Sequence, residues 1–301
     1  MIYDSVRYRP TIRDLFQMPI VGGGGISPNG DKAIYRLVRI DDFEDNQVKV
    51  HWYIYDSRTA QTHQLTKTKM ISEVRWLNNE TVALMKRADN SSIQIYVFER
   101  LVGEGSQITD HPGGIDSFEP FGNGFIYIAQ KKTNRQVARE KKYGNFIDVE
   151  EEESGSALYY VDRKTILEYK QRSQHSSSGA SEPAKPVVEL SELLERPFKI
   201  ESAIPSPRND AVFINCRSRD DFFYENETYC LRIEFDTNSI SDDEKANVPI
   251  TRLTRIALPK GARIKAVSPD GGKLLVSYKE NNLKGRAQAD LWLLDLSLIH
   301  I

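Results

Sequence analysis

The residues able to do chemistry are few, and their spacing decides what they can do. Gly22-Gly23-Gly24-Gly25 has the composition of a phosphate cradle, but no strand and helix bracket it at the required spacing and no Lys-Ser/Thr follows. It reads as a flexible lead-in to the first repeat. His51, His63, His111 and His175 could ligate a metal, yet none stands at the H-x-x-x-H type of spacing that turns two imidazoles toward one ion. Strand and surface histidines are the expectation. Cys216 and Cys230 lie near the facing ends of two strands joined by a loop and are expected to be cross-strand neighbours kept as reduced thiols. Two cysteines are too few for a disulfide scaffold or a four-ligand zinc site. Glu150 to Glu153, Asp220-Asp221 and Asp242-Asp243-Glu244 lack the alternating D-x-D-x-D-G pattern of a calcium loop, so solvated loops are expected. Tyr143, Phe146, Phe222, Phe223 and Tyr224 fall in loop sequence, where exposed rings are costly. They are expected either to pack within the fold or to meet a further domain or a substrate path. No catalytic, cofactor-binding or metal-ligating residue is assigned, and no cofactor is expected.

The elements around these residues repeat. The unit is a turn of the type Ser-Pro-Asn-Gly, an apolar strand, an aromatic strand ending in Asp, and a short strand ending in Leu-Thr. The first copy runs from Ser27-Pro28-Asn29-Gly30 through Ala33 to Val38 and Trp52 to Asp56, closing at Leu65-Thr66. The second starts at Val74-Arg75-Trp76, continues through Val82 to Met85 and Ile93 to Phe98, and closes at Ile108-Thr109. Thr66 and Thr109 are 43 residues apart. A period of roughly 40–45 residues made of four short antiparallel strands is the signature of a propeller blade. Alternation by two supports strands: Ile93, Ile95 and Val97 share one face and Gln94, Tyr96 and Phe98 the other. Apolar groups on both faces fit a sheet covered on each side by another.

The third copy contains Phe125 to Ile128 and Leu158 to Asp162, split by a charged insertion from Lys131 to Gly155, with a closing strand at Val187 to Ser191. Its stretch Gln171 to Pro186, rich in Ser, Pro, Gly and Ala, is expected to be a mobile loop. The fourth turns at Ser206-Pro207-Arg208-Asn209, runs Ala211 to Cys216 and Thr228 to Phe235, and closes at Leu253-Thr254. The fifth runs Ile264 to Val267, Leu274 to Tyr278 and Asp290 to Asp295 around Ser268-Pro269-Asp270-Gly271, with no closing Leu-Thr. Pro presets φ in these turns and Gly accepts positive φ. The expected fold is therefore all-β: a propeller of four-stranded antiparallel blades, about five in number, in an incomplete ring. Residues 1–26 form an N-terminal segment with a short helix. The propeller spans 27–295, with blades at about 20–66, 71–109, 114–191, 199–254 and 262–295.

These features resemble the N-terminal propeller of the prolyl oligopeptidase family of serine peptidases, in its dipeptidyl aminopeptidase and acylaminoacyl peptidase branch. The resemblance is carried by Thr11-Ile12-Arg13-Asp14-Leu15-Phe16 with Thr11 and Asp14 at capping-box spacing, by Ser27-Pro28-Asn29-Gly30, and by Asp56 and Leu65-Thr66. Glu140-Lys141-Lys142-Tyr143, the acidic Asp148 to Glu153 and Leu158-Tyr159-Tyr160-Val161-Asp162 carry it further. It implies a following α/β-hydrolase domain with a Ser in a G-x-S-x-G elbow. No G-x-S-x-G occurs here: Ser27 follows Gly25 but precedes Pro28-Asn29. The expectation is a propeller fragment, inactive by itself, of a peptidase that admits short peptides. The alternative is a free-standing propeller that scaffolds other proteins. A glycosidase would need two carboxylates converging on a funnel, and no spacing supports such a pair.

Composition narrows the partners. The 301 residues carry 41 basic and 43 acidic side chains, a net charge of −2, so no basic field attracts nucleic acid. The apolar stretches are strand-sized, far short of the ~20 residues of a membrane helix. Asp4, Arg7, Arg9, Arg13 and Asp14 interrupt the start of the chain, which has no apolar signal core. A cytoplasmic protein is expected, with peptide as its partner through the catalytic domain and neither nucleic acid nor membrane. Leu296-Ser297-Leu298-Ile299-His300-Ile301 is the translation expected of CTG TCT CTT ATA CAC ATC, the end of a transposon used to prepare sequencing libraries, so residues 296–301 are expected to be a non-native tail.

Overall fold

The computed structural model of the chain describes residues 11, 14, 18–42, 47–65, 71–88, 92–101, 105–111, 113–130, 142, 156–162, 187–189, 198–218, 228–235, 250–259, 261–279 and 289–298. Among them nineteen strands form five antiparallel sheets, each assembled in chain order. Sheet one holds β1 (Ile20–Ile26), β2 (Lys32–Asp42), β3 (Gln47–Asp56) and β4 (Gln61–Gln64). Sheet two holds β5 (Ile71–Trp76), β6 (Val82–Arg87), β7 (Ile93–Phe98) and β8 (Ser106–Gln107). Sheet three holds β9 (Ser117–Phe121), β10 (Gly124–Gln130), β11 (Ser156–Asp162) and β12 (Val187–Glu189). Sheet four holds β13 (Phe198–Pro205), β14 (Ala211–Ser218), β15 (Thr228–Phe235) and β16 (Ile250–Ile256). Sheet five has three strands, β17 (Arg263–Val267), β18 (Lys273–Lys279) and β19 (Ala289–Asp295). The all-β architecture and its five repeats follow the sequence pattern closely. Two closing strands stop before the expected Leu-Thr or Ile-Thr: β4 ends at Gln64, and β8 ends at Gln107, beyond which Thr109 donates its hydroxyl to Gln94 Oε1 at 2.9 Å.

The chain divides into two compact units, Met1–Ser91 with Ile95–Gln107, and Ser92–Gln94 with Ile108–Ile301. In the first, Ile34, Trp52 and Ile54 of sheet one pack on Ile71, Val74, Val82, Leu84 and Phe98 of sheet two. In the second, Phe121, Ile126, Ile128, Leu158 and Tyr160 of sheet three pack on Val212, Ile214, Cys216, Leu231 and Ile233 of sheet four. The other face of sheet four, with Ala211, Phe213 and Cys230, packs on Ile264, Leu274 and Val276 of sheet five. Burying each large side chain stabilises by about 1.5–3 kcal/mol, so these joints carry much of the stability.

The repeated turn is built the same way each time. Ser27 donates its backbone N–H to the Lys32 carbonyl, Ser206 to that of Ala211 and Ser268 to that of Lys273, at 2.8–2.9 Å. Ser27 Oγ and Ser268 Oγ also accept the N–H of Lys32 and Lys273. Neighbouring turns touch: Asn29 N–H donates to Asn79 Oδ1 at 3.0 Å, and Gly122 N–H to Asn209 Oδ1 at 3.1 Å. At the N-terminal side Asp14 is helical, and the reciprocal capping box forms. Thr11 N–H donates to Asp14 Oδ2 at 2.6 Å and Asp14 N–H to Thr11 Oγ1 at 3.3 Å.

Two expectations are corrected. The glycine quartet is no flexible lead-in but part of the paired strand β1, with a bulge between Gly22 and Gly24. Gly23 has φ of 61°, and a Cβ on Gly24 would lie 2.2 Å from the Ile34 carbonyl oxygen, so the bulge requires glycine. The cysteines are free, as expected, but are not opposed. Cys230 pairs with Asn215 and Cys216 with Tyr229. That offset of one puts the thiols on opposite faces of sheet four, one in each joint. The insertion 131–155 apart from Lys142, the stretch 171–186, Thr66, residues 299–301, His175, the three acidic runs and the five loop aromatics lie outside the described residues.

Candidate functional site

Bulges concentrate charge on the first strands of the second unit, where β13 lies beside both β9 and β17. β13 is bulged between Ile200 and Ser202, and β17 between Ile264 and Ala266, so Glu201 and Lys265 are the extra residues. A bulge redirects the side chain it carries. Glu201 Oε2 accepts from Arg263 Nε at 2.8 Å, and Oε1 accepts from Arg263 Nη2 at 3.3 Å and from Arg217 Nη2. The carboxylate thereby binds two guanidiniums at once, one from its own sheet and one from the next. Partial burial pushes the Glu201 carboxyl up, but hydrogen bonds from Arg263 and Arg217 and their charges outweigh it and hold it below its ordinary value. Asp116, just before β9, is raised by partial burial, opposed by the charges of Lys199 and His111.

Two buried amides join one sheet to the backbone of the next segment. Asn215 Nδ2 donates to the Ile264 carbonyl at 2.8 Å and to Ser202 Oγ at 2.7 Å, while its Oδ1 accepts from Ile264 N–H at 2.9 Å and from the Cys230 thiol at 3.3 Å. Gln94 Nε2 donates to the His111 carbonyl and Ser92 Oγ, both at 2.8 Å, and its Oε1 accepts from His111 N–H and the Thr109 hydroxyl, both at 2.9 Å. Each amide thus spends all four hydrogen-bonding positions on neighbours. Beside Gln94's partner, the His111 ring meets Tyr127 and Tyr159 edge-on at 5.8 and 4.8 Å, and the two tyrosines stack at 5.1 Å. Burial, and then Tyr159, pushes the Tyr127 phenol upward.

This is binding and fastening chemistry. Burial above all, with Cys230 and Glu201 adding, pushes the Cys216 thiol up to about 12, and burial raises Cys230 as well, so neither is an activated nucleophile. Among the described residues no three of His, Cys, Asp and Glu gather as metal ligands. His51 pairs with Gln64 at 3.1 Å, and His63 is exposed on β4. Sequence reasoning did not single out Glu201, Gln94 or Asn215. The available signal was a lone amide inside an apolar strand, as in Ile93-Gln94-Ile95 and Ile214-Asn215-Cys216.

No protein-family model matches the sequence, and no curated protein matches it. Solved structures do match. The β-propeller domain of the trilobed protease of Pyrococcus furiosus, whose topology is an open velcro, aligns with a TM-score of 0.54 at 13% identity, over 93% of this chain and 69% of that one. The fold is a β-propeller. Its five sheets are blades, each laid down from first to last strand. Pyrococcus horikoshii acylaminoacyl peptidase aligns at a TM-score of 0.55 and 13% identity over 93% of this chain. The propeller chain spans 39% of that peptidase's length. A putative TolB from Agrobacterium tumefaciens aligns at 0.51 and 11% identity, over 92% of this chain and 78% of that one. No helix among the described residues is long and apolar enough to cross a membrane.

Proposed function

We propose that this chain is the N-terminal propeller of a prolyl-oligopeptidase-family serine peptidase, of the dipeptidyl aminopeptidase and acylaminoacyl peptidase branch. The propeller restricts access to a separate α/β-hydrolase domain, so that short peptides and not folded proteins are cleaved. The observation that carries this reading is the alignment with an acylaminoacyl peptidase over 93% of this chain and only 39% of that one, which leaves room for a second domain. The 301 residues hold no G-x-S-x-G elbow, which is in keeping with bond cleavage by such a domain. The charged groups Glu201, Lys199 and Arg263 on the first strands β13 and β17, with Arg217 on β14, suit handling of a zwitterionic peptide. The intact protein works in the cytoplasm, with neither nucleic acid nor membrane as partner, in keeping with its balanced charge and two free thiols.

Recovery of the downstream reading frame, followed by fluorophosphonate labelling and assay on aminoacyl and acylaminoacyl p-nitroanilides, tests this. Labelling of the extended protein and none of the 301-residue chain is the expected result. A second reading, a propeller scaffold, is favoured by the TolB alignment, which extends over 78% of that protein. An uninterrupted frame without a nucleophile elbow would select it.

A further inference from the structure

The two guanidiniums beside Glu201 are held firmly and used only in part. Glu201 takes up Nε and Nη2 of Arg263 and Nη2 of Arg217. Among the described residues no further hydrogen bond engages Nη1 of either arginine or Nε of Arg217. The Arg217 and Arg263 side chains are 36% and 40% exposed, whereas the carboxylate between them is 19% exposed. An ion pair this open, made only to join two sheets, would return little stability, because water screens it. A covered carboxylate that aligns two part-exposed guanidiniums, each with donors to spare, is instead the frame of a binding site.

The backbone under this frame is pinned from the preceding sheets. Glu201 and Lys265 are the extra residues of their bulges, and the residue before each is gripped by a polar side chain. Ser156 Oγ of sheet three accepts the Ile200 N–H, and Asn215 of sheet four pairs with both the N–H and the carbonyl of Ile264. Asn215 also donates to Ser202 Oγ, on the other side of the first bulge. Glu201 follows Ile200 and Arg263 precedes Ile264, so both members of the ion pair stand next to a fixed residue. A site ordered before its ligand arrives gives up less freedom on binding.

Charge selects the ligand. Two guanidiniums against one carboxylate leave a surplus of positive charge, and Lys265, exposed on the same strand as Arg263, adds to it. A short peptide offers an ammonium group and carboxylates. The first is repelled, and the second matches the planar fork of a guanidinium with two parallel hydrogen bonds. We infer that Arg217 and Arg263, aligned by Glu201, bind a carboxylate of a peptide through their remaining donors, with Ser156 and Asn215 as positioning residues that keep the pair in place. This deepens the peptidase reading and rests on it for the ligand being a peptide.

Heteronuclear NMR titration of the 301-residue chain tests it, with the side-chain Nε–H signals of Arg217 and Arg263 as the readout. The probes are N-acetyl-trialanine as the free acid, the same peptide as its C-terminal amide, and N-acetyl-Ala-Glu-Ala amide. Saturable shifts are expected with a carboxylate-bearing probe, and binding of the neutral amide is expected to be weaker by about tenfold or more. A response to the free acid alone assigns the site to a peptide C-terminus, and a response to the Glu probe assigns it to an acidic side chain; either supports the inference. Arg217→Lys keeps the charge and leaves the joint between sheets four and five intact, yet is expected to weaken carboxylate binding about fivefold, because the fork is lost. Ser156→Ala, still folded, is expected to weaken it about twofold with the response to the amide unchanged. Equal shifts with acid and amide, no shift with any probe, or undiminished binding by Arg217→Lys overturns the inference, and undiminished binding by Ser156→Ala removes the positioning role. Fluorophosphonate labelling of the extended protein reports separately on the peptidase reading: labelling without carboxylate preference sinks the guanidinium site alone, and carboxylate binding without labelling sinks the peptidase reading alone.

Discussion

The joint between the first and second blades and the joint between the fourth and fifth fasten the same kinds of strands by different chemistry. In the first, the buried Trp52 indole donates one hydrogen bond, to the Ile71 carbonyl at 3.2 Å, and otherwise fills space among Ile34, Ile54 and Val74. In the second, the small Asn215 side chain fills little space but pairs both backbone groups of Ile264, and Glu201 binds Arg263 across the same joint. Breaking the first therefore costs a cavity. Breaking the second strands buried polar groups. The difference teaches that equal burial does not imply equal vulnerability, because volume can relax and an orphaned amide cannot.

Trp52→Ala should have the largest effect, a loss of about 3–5 kcal/mol by denaturant unfolding, with Trp52→Phe recovering more than half. Asn215→Leu should lose about 2–4 kcal/mol despite adding apolar volume, since Ile264 keeps neither partner. A neutral result would mean that packing alone holds the second joint. Glu201→Gln comes next, at about 1–2 kcal/mol near neutral pH. Because the native carboxyl lies below its unfolded value, its contribution is complete above the ordinary carboxylate range and fades as pH falls through the lowered native value. Melting curves of wild type and Glu201→Gln should therefore converge on acidification from pH ~7 to ~3; a constant gap would show that charge is not what the pair supplies. Cys230→Ser should cost least, about 1 kcal/mol or less, because a hydroxyl can replace the thiol's donation to Asn215 Oδ1.

The repeats were legible because each rests on local rules: Pro-Asn-Gly or Pro-Asp-Gly turns and alternation by two. β7 and β15 have the bounds that their apolar runs predict. β9 carried a weaker signal, since Ser117-Phe118-Glu119-Pro120-Phe121 includes a proline that removes a ladder donor, here opposite Phe125. The candidate site was not legible. Glu201 looks like any polar strand residue until a bulge moves it out of the ladder, and Asn215 reads as a defect until Ile264, far along the chain, comes to meet it. The cysteines show the same limit: nearness along paired strands was readable, while the face each thiol takes depends on a one-residue register.

The bulges bear on how this chain can change length over evolution. In an ordinary strand position, losing one residue inverts every side chain on one side of the loss, sending buried groups to water. At Gly23, Glu201 and Lys265 the ladder already skips a residue, so a deletion there removes the slack and leaves the flanking pairs matched. Single-codon losses at these positions should thus be among those the strands survive, and the one at position 201 would sacrifice the carboxylate that Arg217 and Arg263 share.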